Sequence, residues 1–230
     1  MRHARDCEVY YLHGFSSSPG SKKGRFLQRR LEAHGIPLHI PDLNRPSFPG
    51  LTLTAQVEEV HRHLTALASS RPALLIGSSM GGLVSLLYAA AHPDRVERIL
   101  LMAPAFRFVG SRLAAAAGTS LEAWEARGWI PMSHYADDRI HSVGFQLVED
   151  ARRYDFDGLP VSLPLRVIHG TADDLIPIDA TRRWVARHPG VELVEIQGGS
   201  HDLGEHYDQV WEAAEPFLLP GGDQSSPSPP

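Results

Sequence analysis

The sequence holds one cysteine, Cys7, in 230 residues. A single thiol cannot close an internal disulfide, so nothing in the chain calls for an oxidising compartment. No apolar run approaches the ~20 residues that cross a bilayer. The opening MRHARDCEVYYLHG has no apolar signal-peptide core ahead of its first strand pattern. These absences point to a cytoplasmic protein without a membrane span. Positive charge is also short: 22 Lys and Arg against 27 Asp and Glu leave a net charge of -5. That argues against a phosphate-binding surface and against nucleic acid as a partner. There is no G-x-x-x-x-G-K phosphate loop, no Rossmann glycine fingerprint and no cysteine–histidine metal cluster, so neither a metal nor a cofactor is expected.

Hydrophobic residues make up 43% of the chain and charged residues 21%, a globular balance that supports one sizeable core and is short for two ordinary domains. Strand and helix patterns alternate. Short apolar runs at Glu8–Leu12, Pro37–Ile40, Ala73–Ile76, Arg98–Met102, Leu165–Ile168 and Val191–Ile196 read as strands. Between and after them, Ser21–His34, Leu53–Ser69, Met80–His92, Asp179–His188 and Leu203–Leu218 read as helices. Continuous apolar strands separated by helices imply a parallel sheet covered on both faces. One gap breaks the alternation, from Pro104 to about Leu163, far longer than a direct strand–helix connection. It carries helix signals of its own: Thr119-Ser120-Leu121-Glu122 has the capping-box pattern before Trp124, and Gly144–Tyr154 is amphipathic. The expectation is a single domain over 1–219 with 104–163 inserted as a helical lid, and a disordered low-complexity tail over 220–230 (PGGDQSSPSPP).

The chemistry concentrates at strand ends. Gly77-Ser78-Ser79-Met80-Gly81 fits G-x-S-x-G with Ser79 in the middle, directly after one apolar strand and before a helix. A nucleophile at such a sharp turn needs glycine two residues before and after it, where side chains would clash. Ser78 does not satisfy this, because Ile76 and Met80 are bulky. HGTADDLIP begins at the end of the fifth strand and GSH201 follows the sixth. Ser79, an aspartate of the Asp173-Asp174 pair and His201 therefore occur in the chain order of one serine-hydrolase fold, and all of them fall beyond carboxyl ends of strands. The serine hydroxyl needs an imidazole to take its proton and a carboxylate to fix the imidazole tautomer. A tetrahedral oxyanion needs backbone N–H donors. Met80, after the nucleophile, is one candidate; Phe15, in the loop after the first strand, is the other.

The motifs YLHGF, GSSMGG, HPDRVERILLMAP, HGTADDLIP and GSHDL occur in that order, and together the sequence resembles an α/β-hydrolase. Its opening YLHGFSSSPGSKK is most similar to the small bacterial YqiA-like esterases, a resemblance covering most of residues 7–219. It implies an α/β-hydrolase fold of about six strands, with the two leading antiparallel strands of larger members missing. It also implies esterase or thioesterase chemistry on a small-molecule ester or thioester, and it places the acid on Asp173 rather than Asp174 through G-x-x-D-x-x-[VI]-P. Cleavage of carboxylic esters of small to medium acyl groups is the leading expectation. A thioesterase acting on acyl thioesters or S-acylated proteins is the runner-up, and a non-catalytic ligand-binding module is the different class. The insert supplies Trp124, Trp129, Tyr135 and Phe145, rings suited to an acyl pocket.

Thirteen histidines are present, so most are structural. His13 and His169, each before glycine at a strand end, fit loop-holding roles better than chemistry. His61 and His63 point to different faces of one helix, which argues against a shared metal. Lys22 and Lys23 fit a solvated first helical turn better than a grip on an anionic substrate.

Overall fold

The computed structural model describes residues 2–67, 69–134, 137, 139–160 and 162–220. In chain order the elements are β1 (Glu8–Leu12), α1 (Lys22–Glu32), β2 (Leu38–His39), α2 (Leu53–Ala66), β3 (Ala73–Ser78), α3 (Met80–Ala91) and β4 (Val96–Met102). There follow α4 (Ser111–Ala116), α5 (Leu121–Arg127), β5 (Trp129–His134), β6 (Arg139–Gly144) and α6 (Gln146–Ala151). The chain ends with β7 (Leu165–Gly170), α7 (Ile178–Val185), β8 (Glu192–Ile196) and α8 (Tyr207–Leu218).

Six strands form one parallel sheet in the order β2-β1-β3-β4-β7-β8. Its central strands are apolar along their whole length because both faces are covered. On β1, Tyr10 and Leu12 enter the core beneath α2, α3, α7 and the insert, while Val9 and Tyr11 enter the core beneath α1 and α8. This is the period-2 alternation of a strand, with both sides buried. Helix α1 starts where Ser21 Oγ accepts the Gly24 N–H at 3.2 Å, and it buries Phe26, Leu27 and Leu31 on one stripe. The chain steps from β1 outward to β2 and then back across β1 to β3. Parallel sheets open a crevice at such a reversal of strand order.

The stretch between β4 and β7 contains helices, as expected, and also an antiparallel two-stranded ribbon, β5–β6, that the helical reading did not include. The ribbon's inward positions, Ile130, His134 and Val143, are buried while Trp129, Pro131, Ser133 and Ile140 face out. Pro131 and the short length of each strand hide this alternation in the sequence. The helix cap falls one residue later than the capping-box pattern puts it: Ser120, not Thr119, accepts the Ala123 N–H, at 3.1 Å. The insert is tied to the body by hydrogen bonds along its length, among them Trp184 Nε1–H on α7 to Phe156 O at 2.7 Å. Asp150 on α6 accepts the Thr54 N–H and hydroxyl at 2.8 and 2.5 Å, capping the start of α2, and Gly144 N–H donates to Pro49 O at 3.1 Å.

Helix α8 begins at Tyr207 rather than Leu203. The Asp202 carboxylate accepts the Gly204 N–H at 2.9 Å and Leu203 sits at φ +57°, so the backbone is held in a turn there. Among the described residues, no helix is long and apolar enough to cross a membrane. The tail expectation lies, Pro220 apart, outside the described residues.

Candidate active site

Ser79 sits between β3 and α3 at φ +53°, ψ -119°. A side chain rarely adopts this backbone, and holding one there costs on the order of 1–3 kcal/mol. The residue is pinned at both ends. Its N–H donates to Met102 O at 2.9 Å, and its carbonyl accepts from Gly82 N and Ala105 N at 2.9 and 3.1 Å. The flanking glycines are required by contact: a Cβ on Gly77 would lie 2.4 Å from Ser85 Oγ, and one on Gly81 would lie 2.0 Å from Leu12 O.

His201 Nε2 lies 3.0 Å from Ser79 Oγ, and His201 Nδ1 lies 2.7 Å from Asp173 Oδ2. The Asp173 side chain is wholly buried, whereas Asp174 is exposed. Burial alone would raise the Asp173 pKa. The donors His169 and His201 and the Ile176 N–H (2.7 Å to Oδ1) override that and hold the carboxyl well below its ordinary range. Asp173 is therefore an anion at neutral pH. His201 then donates from Nδ1 and presents Nε2 as acceptor to the Ser79 hydroxyl.

The loop after β1 closes on the same point. A Cβ on Gly14 would stand 3.0 Å from Ser79 Cβ. His13 holds this loop: Leu43 N–H donates to its Nε2 at 3.1 Å, so its Nδ1–H faces Gly14 O at 3.0 Å. Phe15 follows, and Ser16 turns the chain at φ +56°. Met80 is the first residue of α3, where backbone N–H groups have no partner within the helix. Phe15 thus lies one residue beyond the point where this loop meets Ser79, and Met80 follows Ser79 directly in the chain.

Lys22 is exposed; Lys23 is half-buried, and beyond the solvated turn expected of it, its Nζ donates to Ser78 Oγ at 2.9 Å. Burial lowers its pKa to about 8, with Asp202 and Asp173 partly opposing the shift.

The pocket rings need correction. Trp124 has no accessible surface; its Nε1–H donates to Val143 O at 3.2 Å and its ring meets Phe145, itself buried, edge-on at 5.7 Å. Both rings join α5, α6 and the ribbon into the core, and Trp124 has no surface open to a pocket in this structure. Trp129 is on the outer face, with the Arg127 guanidinium 4.4 Å over its ring. Tyr135 lies outside the described residues. The ring beside the loop after β1 is Phe48, packed on Phe15 at 5.2 Å and edge-on to His134 of the ribbon at 4.7 Å. Nothing local in the proline-rich turn around Phe48 signals this, because both contacts are distant in sequence. Among the described residues, no cluster of His, Cys, Asp and Glu could hold a metal ion.

A parallel sheet of this strand order, with a strand–Ser79–helix turn at its carboxyl edge, defines the α/β-hydrolase class. Residues 8–217 match the family model described as "Uncharacterised protein family (UPF0227)", and the chain belongs to that family. It is 28% identical over 142 residues to human "Palmitoyl-protein thioesterase ABHD10, mitochondrial", a match covering 60% of this chain and 46% of the relative. It is 32% identical over 103 residues to human "Monoacylglycerol lipase ABHD6", covering 42% and 30%. The matches thus span about half or less of these relatives' length. The fold is similar to that of Est1E from Butyrivibrio proteoclasticus, solved with ferulic acid bound, at TM-score 0.79, 19% identity and coverage of 91% and 87%.

Proposed function

We propose that the protein is a serine hydrolase that cleaves carboxylic esters of small to medium acyl groups through an acyl-enzyme on Ser79. The observation that carries this reading is the unbroken line from Ser79 Oγ through His201 to the buried Asp173 carboxylate, at 3.0 and 2.7 Å. Ser79 Oγ attacks the acyl carbon as His201 Nε2 takes its proton. Asp173 stabilises the imidazolium that forms. The carbonyl oxygen becomes an anion facing the N–H groups of Phe15 and Met80, each donor contributing about 2.7–4 kcal/mol by comparison with other oxyanion sites. His201 returns the proton to the departing oxygen, leaving the acyl ester on Ser79. A water deprotonated by His201 then cleaves that ester, and the proton returns to Ser79 Oγ. The insert serves as the lid, meeting the loop after β1 through the Phe15–Phe48–His134 contacts.

A thioester substrate is the second reading, favoured by the match to a palmitoyl-protein thioesterase. The same atoms perform it, with sulfur as the leaving atom. The test is turnover of a panel of oxygen and thio esters of graded acyl length. Sustained turnover after a burst of p-nitrophenol from p-nitrophenyl acetate supports the hydrolase. Higher kcat/KM for matched thioesters selects the second reading. No turnover across the panel overturns both, and fits a ligand-binding module instead.

A further inference from the structure

A second histidine reaches the carboxylate oxygen that His201 uses. His169, near the end of β7, is fully buried. Its Nε2 lies 3.0 Å from Asp173 Oδ2 and 3.0 Å from Ile176 O, and its Nδ1 lies 2.9 Å from Thr181 Oγ1 on α7. A carbonyl and an ionised carboxylate only accept, so Nε2 carries a proton. In the neutral Nε2–H tautomer that one hydrogen is shared between Asp173 Oδ2 and Ile176 O, and the Thr181 hydroxyl donates to Nδ1. Asp173 Oδ2 then receives two imidazole N–H groups, from His201 at 2.7 Å and His169 at 3.0 Å, while Oδ1 receives Ile176 N–H at 2.7 Å. Holding the loop backbone requires only the contacts to Ile176 and Thr181. The contact to Oδ2 adds something else: with Ile176 it fixes the rotation of the carboxylate, so that one oxygen stays on His201.

We propose that His169 is a positioning residue of the hydrolytic site, whose Nε2–H aims the Asp173 carboxylate at His201 and draws off part of its charge. This rests on the reading of Ser79, His201 and Asp173 as the reacting line. With Oδ1 taken by the Ile176 N–H, a second donor on Oδ2 leaves the carboxylate one orientation, the one that meets His201 Nδ1 at 2.7 Å. The other charges facing this group are Lys23 from α1, Asp202 in the loop after β8 and Glu195 on β8; all three stay unchanged in the variants below.

The amides of Gln and Asn separate the two sides of the ring. Gln places an N–H near the Nε2 position and keeps the bond to Asp173. Asn reaches only the Nδ1 position, so it keeps a partner for Thr181 and loses Asp173. His169→Gln and His169→Asn are compared at matched thermal stability. One readout is the rate of Ser79 labelling by a fluorophosphonate across pH; the other is the low-field His201 Nδ1–H proton resonance. Expected for His169→Asn are a plateau rate about 10-fold lower, from a charged hydrogen bond worth over 1 kcal/mol, and a displaced resonance. His169→Gln stays close to the parent in both. If the two variants behave alike, or His169→Asn matches the parent, His169 is only structural and the inference is overturned. If the parent itself does not label, the hydrolase reading fails. The resonance still decides the role of His169, since it reports the Asp173–His201 bond without turnover.

Discussion

Lys23 and Ser78 are joined by a hydrogen bond of 2.9 Å from Nζ to Oγ. The bond ties the first turn of α1 to the strand end that carries the neighbouring Ser79, and it leaves His201 to the other serine. Of two adjacent hydroxyls, one is held by an ammonium and one by an imidazole, and only the second meets a base with a free lone pair.

The Lys23 ammonium has a pH signature. Its folded pKa, about 8, lies below the ordinary 10.5. Between these values the unfolded chain holds the extra proton, so stability from this group rises with pH across that window. Below pH 8 the folded state carries the cost of holding the charge in this half-buried position. Lys23→Met removes the effect. The difference in Tm between the natural chain and Lys23→Met should therefore move in favour of the natural chain between pH 7 and 9.5. A difference that stays constant contradicts a lowered pKa for the half-buried Lys23.

Ser79 is also a source of strain. Ser79→Gly should abolish turnover yet raise stability by about 1 kcal/mol, because glycine adopts φ +53° without the steric cost, less its own entropic penalty. Chemical denaturation reads the change. A Ser79→Gly protein less stable than its parent indicates that the serine's contacts outweigh the strain.

Asp173 and Asp174 should separate cleanly. Asp173→Asn leaves a buried amide opposite His201 and favours the wrong imidazole tautomer, lowering kcat by up to ~10⁴. Asp174 is exposed, and Asp174→Asn should change kcat little. Steady-state rates on p-nitrophenyl acetate distinguish the two, and an inactive Asp174→Asn would reverse the assignment.

The rings should divide by role. Trp124→Ala empties a closed core position and should cost about 3–5 kcal/mol of stability while leaving the ranking of acyl lengths intact. Phe48→Ala lies against Phe15 and should alter that ranking. A panel in which Trp124→Ala changes the preference and Phe48→Ala does not would contradict this division.

How far the sequence carried depends on the range of the interactions involved. The Ser79 turn was legible because its neighbours Gly77 and Gly81 are demanded by backbone contacts at fixed offsets. Asp173 was legible because it follows β7, an apolar strand whose burial shows in its residues, and His201 because GSH follows the last strand pattern of the chain, although β8 itself is a half-exposed edge strand. His169 was visible as a histidine before a glycine, but its bond to Asp173 depends on how the loop turns between them. Lys23 looked solvated because nothing in SKKGR indicates that Ser78 lies beneath it. The β5–β6 ribbon and the place of Phe48 were not legible. Both are set by packing between segments about 30 to 100 residues apart, where local propensity is overridden.

The account turns on one oxygen atom, Ser79 Oγ. The protein is treated with a fluorophosphonate and digested, and the modified residue is located by mass spectrometry. The account predicts a single adduct on Ser79, absent from Ser79→Ala and retained in Ser78→Ala. An adduct on Ser78, or full esterase activity in Ser79→Ala, would contradict it.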